Sequence, residues 1–508
     1  MLFLAAPDSD LMMFLSEAHA LVAGRPALLG HVEADLDVHA LSKKAMRLAD
    51  RAWVDAQADA LPGYTSKAAV IDPASLILEQ GRPRTPAYVV LMAVLLRGYL
   101  GAGFKACDTT TMMEESITLQ VFFTNQGLKM PGRSTLTELV NAVSNETRQL
   151  VLDAQVAKVL QLGWDDFSVM LQDSTHVKGN TEWPTESRLM VALVERLVRV
   201  GTALPRLDLP AMEAPNVPGH LYKMTTLDRE IDMAPRNRER VRFRRKRYGK
   251  LLWRARRVHE TLSEAIVQVQ AALALLDVLP SRKAMAERAV RGLRADIDAL
   301  AQVIATCEAR VIREEEVPTA DKKLSVSDPD AGFIAKGQRV PVVGYKPQLA
   351  RSGQGFITGL LLPQGNAADS KQLVPMFDEV VRTTGVVPDV VSTDDGYASK
   401  ANVDAIRARG ARVISINGAK GRALTANADW DSDDYALARD KRSAVESLMF
   451  TLKQGFHFGH VARRGLVQVH GELLEKAIAY NFCHMARTRI AIERGLASDR
   501  AQVLEHAA

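Results

Sequence analysis

Two short apolar runs of the chain end on aspartate, and both are typical of buried β-strands. The first covers residues 168–172 and stops at Asp173, and the second covers 386–393 and stops at Asp394 and Asp395. The end of a strand holds an aspartate rigidly while its carboxylate can face a ligand, although most such aspartates only begin a turn. These aspartates therefore gain a functional meaning only if the chain supplies further acids.

The first 160 residues have the apolar spacing of helices. The run 87–96 is almost wholly apolar and is long enough to favour a buried helix over a strand. Residues 1–160 are therefore predicted to form a helical N-terminal domain. Its order of helix, turn at 131–134 and helix resembles layouts that bind DNA, and we predict DNA binding here. A helical packing domain without this role fits the pattern equally well.

Residues 187–325 are predicted to form a second helical region, which differs from the first in charge. Between positions 236 and 257 the chain has twelve Lys or Arg residues and one acid, Glu239. Charge runs are usually solvated faces, but this density favours contact with DNA phosphates, whose neutralisation releases counterions. The predicted phosphate contacts are Arg244, Arg245, Lys246 and Arg247.

Beyond a polar linker at 314–323 the pattern changes to strands. Segments 340–349 and 355–362 flank the residues 351–354, and this predicts a β-hairpin with its turn at 351–354. A helix at about 371–384 precedes the strand that ends at Asp394, and a helix and a strand follow it. Helices are predicted at 438–455 and at about 473–493. Alternation of strands and helices predicts an α/β domain.

Composition excludes little and agrees with this organisation. A chain of 508 residues with 47% hydrophobic and 25% charged residues is ordinary for a globular protein of two to four domains. Its 65 basic and 60 acidic residues nearly balance, so only their distribution is informative. Three distant cysteines without zinc-type spacing favour a reducing cytoplasmic location. We see no leader segment and no apolar run long enough for a bilayer, so no membrane partner is expected.

A third acid, Glu446, lies inside the helix predicted at 438–455. Arg442 lies four residues before it on the same face, and Lys453 lies about two turns after it. A surface salt bridge explains Arg442 and Glu446 taken alone. Together, two strand-borne aspartates and a helix-borne glutamate can hold two divalent ions, and their oxygens favour Mg²⁺ or Mn²⁺. The predicted metal ligands and catalytic residues are Asp173, either Asp394 or Asp395, and Glu446.

In these blocks the chain resembles bacterial insertion-sequence transposases of the DDE superfamily. The first block of the resemblance is Asp173-Ser174-Thr175 with Asn180 and residues 183–187. The second is Asp394-Asp395-Gly396-Tyr397 with Asn402, and the loops at 336–346 and 365–370 resemble the region between them. Arg442, Glu446 and Lys453 match the family's Arg-x3-Glu-x6-Lys spacing, with Arg439 in place of the tyrosine that opens the fuller signature.

The resemblance implies an RNase H-like catalytic domain, a mixed sheet flanked by helices, formed by residues 161–186 and 326–490. The basic helical insertion, 187–325, then lies between the first two acids. The implied reaction is strand cleavage and transfer at the ends of the protein's own insertion sequence, with two Mg²⁺ (or Mn²⁺) at the three acids. Arg442 and Lys453 would contact phosphate. The implied partners are double-stranded DNA, as terminal inverted repeats and target, and a second copy in a homodimeric synaptic complex at the nucleoid.

Two other functions fit parts of the sequence. A catalytically silent DNA-binding regulator or transposase relic would need only the basic insertion. An RNase H-like nuclease would cut nucleic acid without specificity for an end. The presence of all three acids with Arg442 and Lys453 favours the active transposase. The resemblance favours Asp394 over Asp395 as the second ligand, and strand geometry is left to decide between them.

Overall fold

A computed structural model of the chain describes residues 10–59, 85–101, 106–128, 132–181, 185–212, 214–234, 239–318, 322, 324–335 and 341–506. The chain divides into two compact units. The first contains residues 1–38, 82–180 and 330–508, and the second contains residues 39–81 and 181–329. The predicted division into N-terminal domain, catalytic domain and insertion remains a prediction. Residues 183, 184 and 336–340 of the resemblance lie outside the described residues, as do residues 319–321 and 323 of the predicted linker at 314–323.

Helices make up most of the described chain, and the apolar run at 87–96 is buried within one of them, as predicted. In chain order they are α1 (Asp10–Gly24), α2 (Ala27–Asp59), α3 (Ala87–Leu100), α4 (Ala106–Glu115), α5 (Ile117–Thr124), α6 (Arg133–Ala142), α7 (Asn145–Gln161), α8 (Glu186–Ala203), α9 (Val217–Asp232), α10 (Arg240–Ala274), α11 (Pro280–Cys307), α12 (Leu373–Thr384), α13 (Lys400–Ala408), α14 (Ala419–Leu424), α15 (Asn427–Trp430), α16 (Asp433–Lys441), α17 (Ser443–Gly455) and α18 (Leu466–His506).

The strands form two sheets in the first unit. In chain order they are β1 (Val169–Ser174), β2 (Val177–Lys178), β3 (Gly332–Ile334), β4 (Val342–Tyr345), β5 (Gln348–Ser352), β6 (Ile357–Leu361), β7 (Val390–Asp394) and β8 (Val413–Asn417). The larger sheet has the order β6-β5-β1-β7-β8. The pairs β6–β5 and β5–β1 are antiparallel, whereas the pairs β1–β7 and β7–β8 are parallel. A smaller sheet has the order β2-β4-β3.

One face of the larger sheet is covered by α12 and α13. Met170 of β1, Ala350 of β5 and Val391 of β7 project from this face into a buried cluster with Phe377 and Ile406. Because side chains alternate along a strand, the neighbouring residues of β1 and β7 face the other way. The α/β class with a mixed sheet is therefore confirmed.

The predicted hairpin is present, but its strand ends differ from the prediction. Segment 340–349 is not one strand, because β4 and β5 belong to different sheets and the chain changes sheet at Lys346 and Pro347. Strand β5 continues to Ser352, and the turn lies at 353–356 rather than 351–354. Pro347 has no N–H for a ladder, which explains the break.

The helix predicted at 438–455 is divided into α16 and α17 at Arg442. The Arg442 N–H bonds to Arg439 O and the Val445 N–H to Arg442 O, both with a three-residue spacing. This tighter bonding interrupts the α-helical pattern at Arg442. The helix predicted at 473–493 is confirmed and extends further in both directions as α18.

Helices α8 to α11 form the core of the second unit. Apolar residues at helical spacing bury one face of α10 at Tyr248, Leu251, Ala255 and Val258, where they join residues of α8 and α11. The opposite face of α10 carries the basic residues. The end of α2 also belongs to this unit, in which Trp53 Nε1 donates to Asp277 Oδ1 over 2.9 Å.

Candidate active site

Asp173 and Asp394 lie at equivalent positions of two neighbouring parallel strands. In the ladder between β1 and β7, Leu171 is opposite Ser392. Asp173 is two residues after Leu171, and Asp394 is two residues after Ser392. Because side chains repeat every two residues, both aspartates belong to the face of the sheet that carries Leu171 and Ser392, two residues beyond the last pair of this ladder. The structure therefore brings together the two acids that the sequence predicted at strand ends.

The helix that carries Glu446 lies on this same face. Arg351 of β5 is opposite Leu171 of β1, so the two side chains share a face. The Arg351 Nη1 donates a hydrogen bond to Ala444 O of α17 over 2.7 Å. Helix α17 is therefore attached to the face of the sheet on which Asp173 and Asp394 lie.

The Glu446 carboxylate is engaged by the residue that sequence spacing predicted. Arg442 Nη2 lies 2.6 Å from Glu446 Oε1, and the Glu446 side chain is 56% exposed. An exposed i,i+4 pair of this kind is worth only a few tenths of a kcal/mol, or about 0.3–0.5. Within the described residues, no group of three His, Cys, Asp or Glu side chains is arranged to hold a metal ion. Glu446 is thus paired with Arg442 on a helix that is attached to the face of the two aspartates.

Lys453 lies in the last turn of α17, and its stem passes beside Gly459. A Cβ atom added at Gly459 would be 3.6 Å from Lys453 Cγ, which is ordinary contact. Arg442 precedes the first turn of the same helix. The two predicted phosphate contacts therefore stand at opposite ends of α17.

Asp394 and Asp395 have different surroundings. Asp394 Oδ1 accepts a hydrogen bond from Gly396 N over 2.9 Å at the end of β7. Asp395 Oδ1 accepts from Gly421 N over 2.9 Å, the third N–H of α14. Such an N–H has no partner within its own helix, so Asp395 stabilises the start of α14. The two neighbouring aspartates therefore have separate roles, one at the strand end and one at a helix N-terminus.

Sequence reasoning assigned no role to four residues beside the aspartates: Lys346, Gln348, Asp369 and Tyr397. Burial raises the pKa of the Tyr397 phenol well above its ordinary value, and the charges of Asp369, Asp173 and Asp394 raise this pKa further. One buried phenol thus interacts with three carboxylates. The sequence offered one indication of Asp369 and Tyr397, because both lie in segments that resemble the transposase family.

The Asp369 carboxylate is held by donors. Burial would raise the pKa of Asp369, but hydrogen bonds from Lys346 and Gln348, with the charge of Lys346, outweigh burial and hold this pKa below its ordinary value. Asp369 therefore stays ionised beside the strand ends.

The four basic residues predicted to contact DNA have unequal surroundings in the second unit. Arg245 Nη1 lies 3.0 Å from Glu314 Oε1, and Arg247 is paired with Glu230. The Arg244 guanidinium lies over the Tyr248 ring, 5.7 Å from its centroid. Lys246 is exposed and has no acidic partner among the described residues. Two of the four charges are thus already compensated.

Residues 297–482 match the family model described as "Transposase DDE domain". The chain carries a transposase DDE domain. The resemblance to insertion-sequence DDE transposases is therefore confirmed. The matched range contains Asp394 and Glu446 and begins after Asp173, so the place of Asp173 in the transposase depends on the pairing of β1 with β7.

The other comparisons add no relative: no curated protein and no solved structure matches the chain. Within the described part of the chain, none of its helices has the length and apolar character needed to cross a membrane.

The donor set at the strand ends has the chemistry that a hard divalent cation requires. Asp173 and Asp394 offer carboxylate oxygens on one face of the sheet, and Mg²⁺ and Mn²⁺ prefer such ligands to nitrogen or sulfur. Glu446 could join them only by breaking its ion pair with Arg442. An exposed pair of this kind costs little free energy to break. The two aspartates therefore have the donor chemistry of a divalent cation site, and Glu446 as a third ligand stays a prediction.

Proposed function

We propose that this transposase cuts DNA at the ends of its own insertion sequence and joins the freed strands to target DNA. The observation that carries the proposal is the equivalent position of Asp173 and Asp394 on parallel neighbours, with the Glu446 helix attached to the same face. Two strand-borne acids and one helix-borne acid are the ligand set that phosphodiester chemistry with two metal ions uses.

The proposal includes an RNase H-like arrangement of the catalytic sheet. The order β6-β5-β1-β7-β8, with an antiparallel β6-β5-β1 part and a parallel β1-β7-β8 part, supports it. In this arrangement the first acid lies on the central strand and the second on the next strand. The helices at 187–325 then form the insertion between them.

In the proposed reaction Asp173, Asp394 and Glu446 would hold two divalent ions. Bound Mg²⁺ or Mn²⁺ would supply a nucleophile at neutral pH and stabilise the charge on the departing oxygen. Arg442 would be freed when Glu446 leaves it and would then contact the phosphate. Lys453 contacts a second phosphate. An arginine suits this role because its planar donors match phosphate oxygens.

The proposed DNA contact of the second unit is the exposed face of α10. Arg242, Lys246 and Lys250 recur every four residues, so they share a face of the helix, and all three are exposed. None of them has an ion-pair partner within the described ranges, in contrast to Arg245 and Arg247. We therefore propose Arg242, Lys246 and Lys250 as the main phosphate contacts of α10, in place of the full set of residues 244–247. Double-stranded inverted repeats and target DNA are the proposed ligands, held by a homodimer because two ends must be joined.

The test is Mg²⁺-dependent cleavage of a duplex that carries the terminal inverted repeat. Asp173→Ala, Asp394→Ala and Glu446→Ala are each expected to abolish cleavage and transfer and to retain binding of the duplex. Glu379→Ala removes an acid of an exposed ion pair on α12 and serves as the matched control. Mg²⁺-dependent nicking that persists in Glu446→Ala would exclude this assignment of the third acid.

A DNA-binding regulator without chemistry is the second candidate. It is favoured by the ion pair of Glu446 with Arg442 and by the lack, within the described residues, of three side chains grouped to hold a metal ion. It predicts duplex binding by the wild type with no cleavage in Mg²⁺ or Mn²⁺. A regulator also needs no inverted repeats beside its gene. The presence or absence of such repeats in the flanking DNA therefore distinguishes the two candidate functions.

A further inference from the structure

A buried ion pair between Lys346 and Asp369 lies beside the proposed metal ligands and takes no part in the proposed cleavage and joining of DNA. Lys346 Nζ lies 2.9 Å from Asp369 Oδ1, and the two side chains are 9% and 14% exposed. Lys346 Nζ also donates to Ala367 O over 3.1 Å. Lys346 follows β4, at the point where the chain passes from one sheet to the other. The pair therefore attaches the loop before α12 to the start of β5.

Gln348 extends this pair to both strands that carry the aspartates. Its Nε2 donates to Asp369 Oδ1 over 2.9 Å. Its Oε1 accepts from Tyr397 Oη and, over 3.2 Å, from Gln172 Nε2. Gln172 immediately precedes Asp173 on β1, and Tyr397 follows Asp394 by three residues. One amide side chain thus connects the end of β1, the end of β7 and Asp369.

Asp369 also lies close to the second aspartate itself. A Cβ atom added at Gly396 would be 3.0 Å from Asp394 Oδ1 and 3.4 Å from Asp369 Oδ2. The two carboxylates therefore both border Gly396, which leaves room between them because it has no side chain. The Asp369 Oδ1 atom is occupied by Lys346 and Gln348, and this fixes the direction of the whole carboxylate.

We propose that Asp369 is a positioning residue of the catalytic centre, which holds the ends of β1 and β7 in register through Lys346, Gln348 and Tyr397. This inference rests on the proposed function. Three carboxylates, of Asp173, Asp369 and Asp394, surround Tyr397, and Lys346 compensates one of their charges. Without Asp369, Gln348 would lose one of the bonds that fix its amide between Gln172 of β1 and Tyr397 after β7.

The test uses four variants of the full chain: Asp369→Asn, Lys346→Met, the double variant of both, and Tyr397→Phe. Binding of Mn²⁺ is followed by electron paramagnetic resonance in the presence of the inverted-repeat duplex, alongside cleavage rate, duplex binding and melting temperature. Loss of a group that orients metal ligands typically lowers metal affinity or activity about 10- to 100-fold. We expect this loss of Mn²⁺ affinity and rate in Asp369→Asn and Tyr397→Phe, with duplex binding retained.

The double variant distinguishes a role of the ion pair in metal binding from misfolding of the protein caused by the loss of one partner. Because a lone buried charge is costly, either single variant can lose stability. The double variant removes both charges, so it is expected to fold and to lose no more Mn²⁺ affinity than the worse single variant. Asp153→Asn is the matched control, since Asp153 is a partly buried acid paired with Arg382 at the other end of α12. Its Mn²⁺ affinity is expected to equal that of the wild type.

Wild-type Mn²⁺ affinity and cleavage in Asp369→Asn and Tyr397→Phe would overturn the inference. A lower melting temperature with unchanged Mn²⁺ affinity would overturn it too, because a merely structural pair behaves in that way. Failure of the proposed function has a different signature. In that case Asp173→Asn would match the wild type in both Mn²⁺ affinity and cleavage.

Discussion

Arg351 on β5 donates a hydrogen bond to the carbonyl oxygen of Ala444, two residues before Glu446, over 2.7 Å. Arg351 is opposite Leu171 on the strand that ends at Asp173. This single bond therefore connects the helix of the third acid to the sheet of the first two.

The first prediction concerns this bond. Arg351→Met keeps the apolar stem and removes the donor, so α17 loses its attachment near Glu446. A shift of about 1 Å at a reacting group can cost up to about 100-fold in rate. We expect cleavage to slow by about tenfold or more, with duplex binding unchanged. Arg412→Met, which removes an exposed arginine paired with Asp389 and Asp434, is the control and is expected to cleave normally.

The second prediction separates Asp394 from Asp395. Asp394→Asn removes a proposed ligand charge, and we expect cleavage to be lost with little change in stability. Asp395→Asn keeps an oxygen that can accept from Gly421 N, so we expect normal cleavage and normal stability. Asp395→Ala should lower the free energy of unfolding by about 0.5–2 kcal/mol because it removes the acceptor at the start of α14. Cleavage assays and urea unfolding measure these effects, and an inactive Asp395→Asn would reverse the assignment.

The third prediction concerns the salt dependence of DNA binding. Changing Arg242, Lys246 and Lys250 to Gln removes three exposed charges without an acidic partner within the described chain. Each lost phosphate contact lowers the slope of log affinity against log salt by about 0.9. Changing Arg245 and Arg247 to Gln removes charges already paired with Glu314 and Glu230, so we expect a smaller change of slope. Equal slopes for the two sets of variants would contradict the proposed stripe on α10.

The fourth prediction concerns acid stability of the first unit. Glu475 on α18 is 1% exposed and is paired with Arg97 of α3, Arg148 of α7 and Arg463. Burial would raise the pKa of Glu475, but the charges of Arg463, Arg97 and Arg148 outweigh it and lower this pKa far below its ordinary value of 4.5. Its contribution to stability is therefore complete above pH 4.5 and is lost as the pH falls through the lower pKa of the folded state.

Glu475→Gln should accordingly lower the free energy of unfolding at pH 7 by about 3–5 kcal/mol, because it leaves the two buried guanidiniums of Arg97 and Arg148, and the partly buried one of Arg463, without their carboxylate. The difference from the wild type should shrink as the pH is lowered below 4.5. Urea unfolding between neutral and acidic pH measures it. Asp378→Asn, in an exposed pair with Arg409, is expected to cost less than about 1 kcal/mol at any pH. A difference that does not vary with pH would contradict the account of Glu475.

Much of the site could be predicted because its parts are local. The strands ending at Asp173 and Asp394, and the spacing of Arg442 and Glu446 on one helix, depend on neighbours a few residues away. The break at Arg442 and the change of sheet at Lys346 were missed. Both depend on the path of the backbone through the folded unit, which apolar periodicity does not encode.

The sequence by itself determined the buried helix α3, the two acid-ended strands, the basic helix α10 and the transposase resemblance, since each is written in the spacing of nearby residues. Only the tertiary structure decided that Asp173 and Asp394 are neighbours, that Asp395 stabilises α14, and that Lys346 and Asp369 support the strand ends. The physical reason is distance along the chain. These contacts join residues that are tens to hundreds of positions apart, and their partners are selected by sheet pairing and burial of the whole unit.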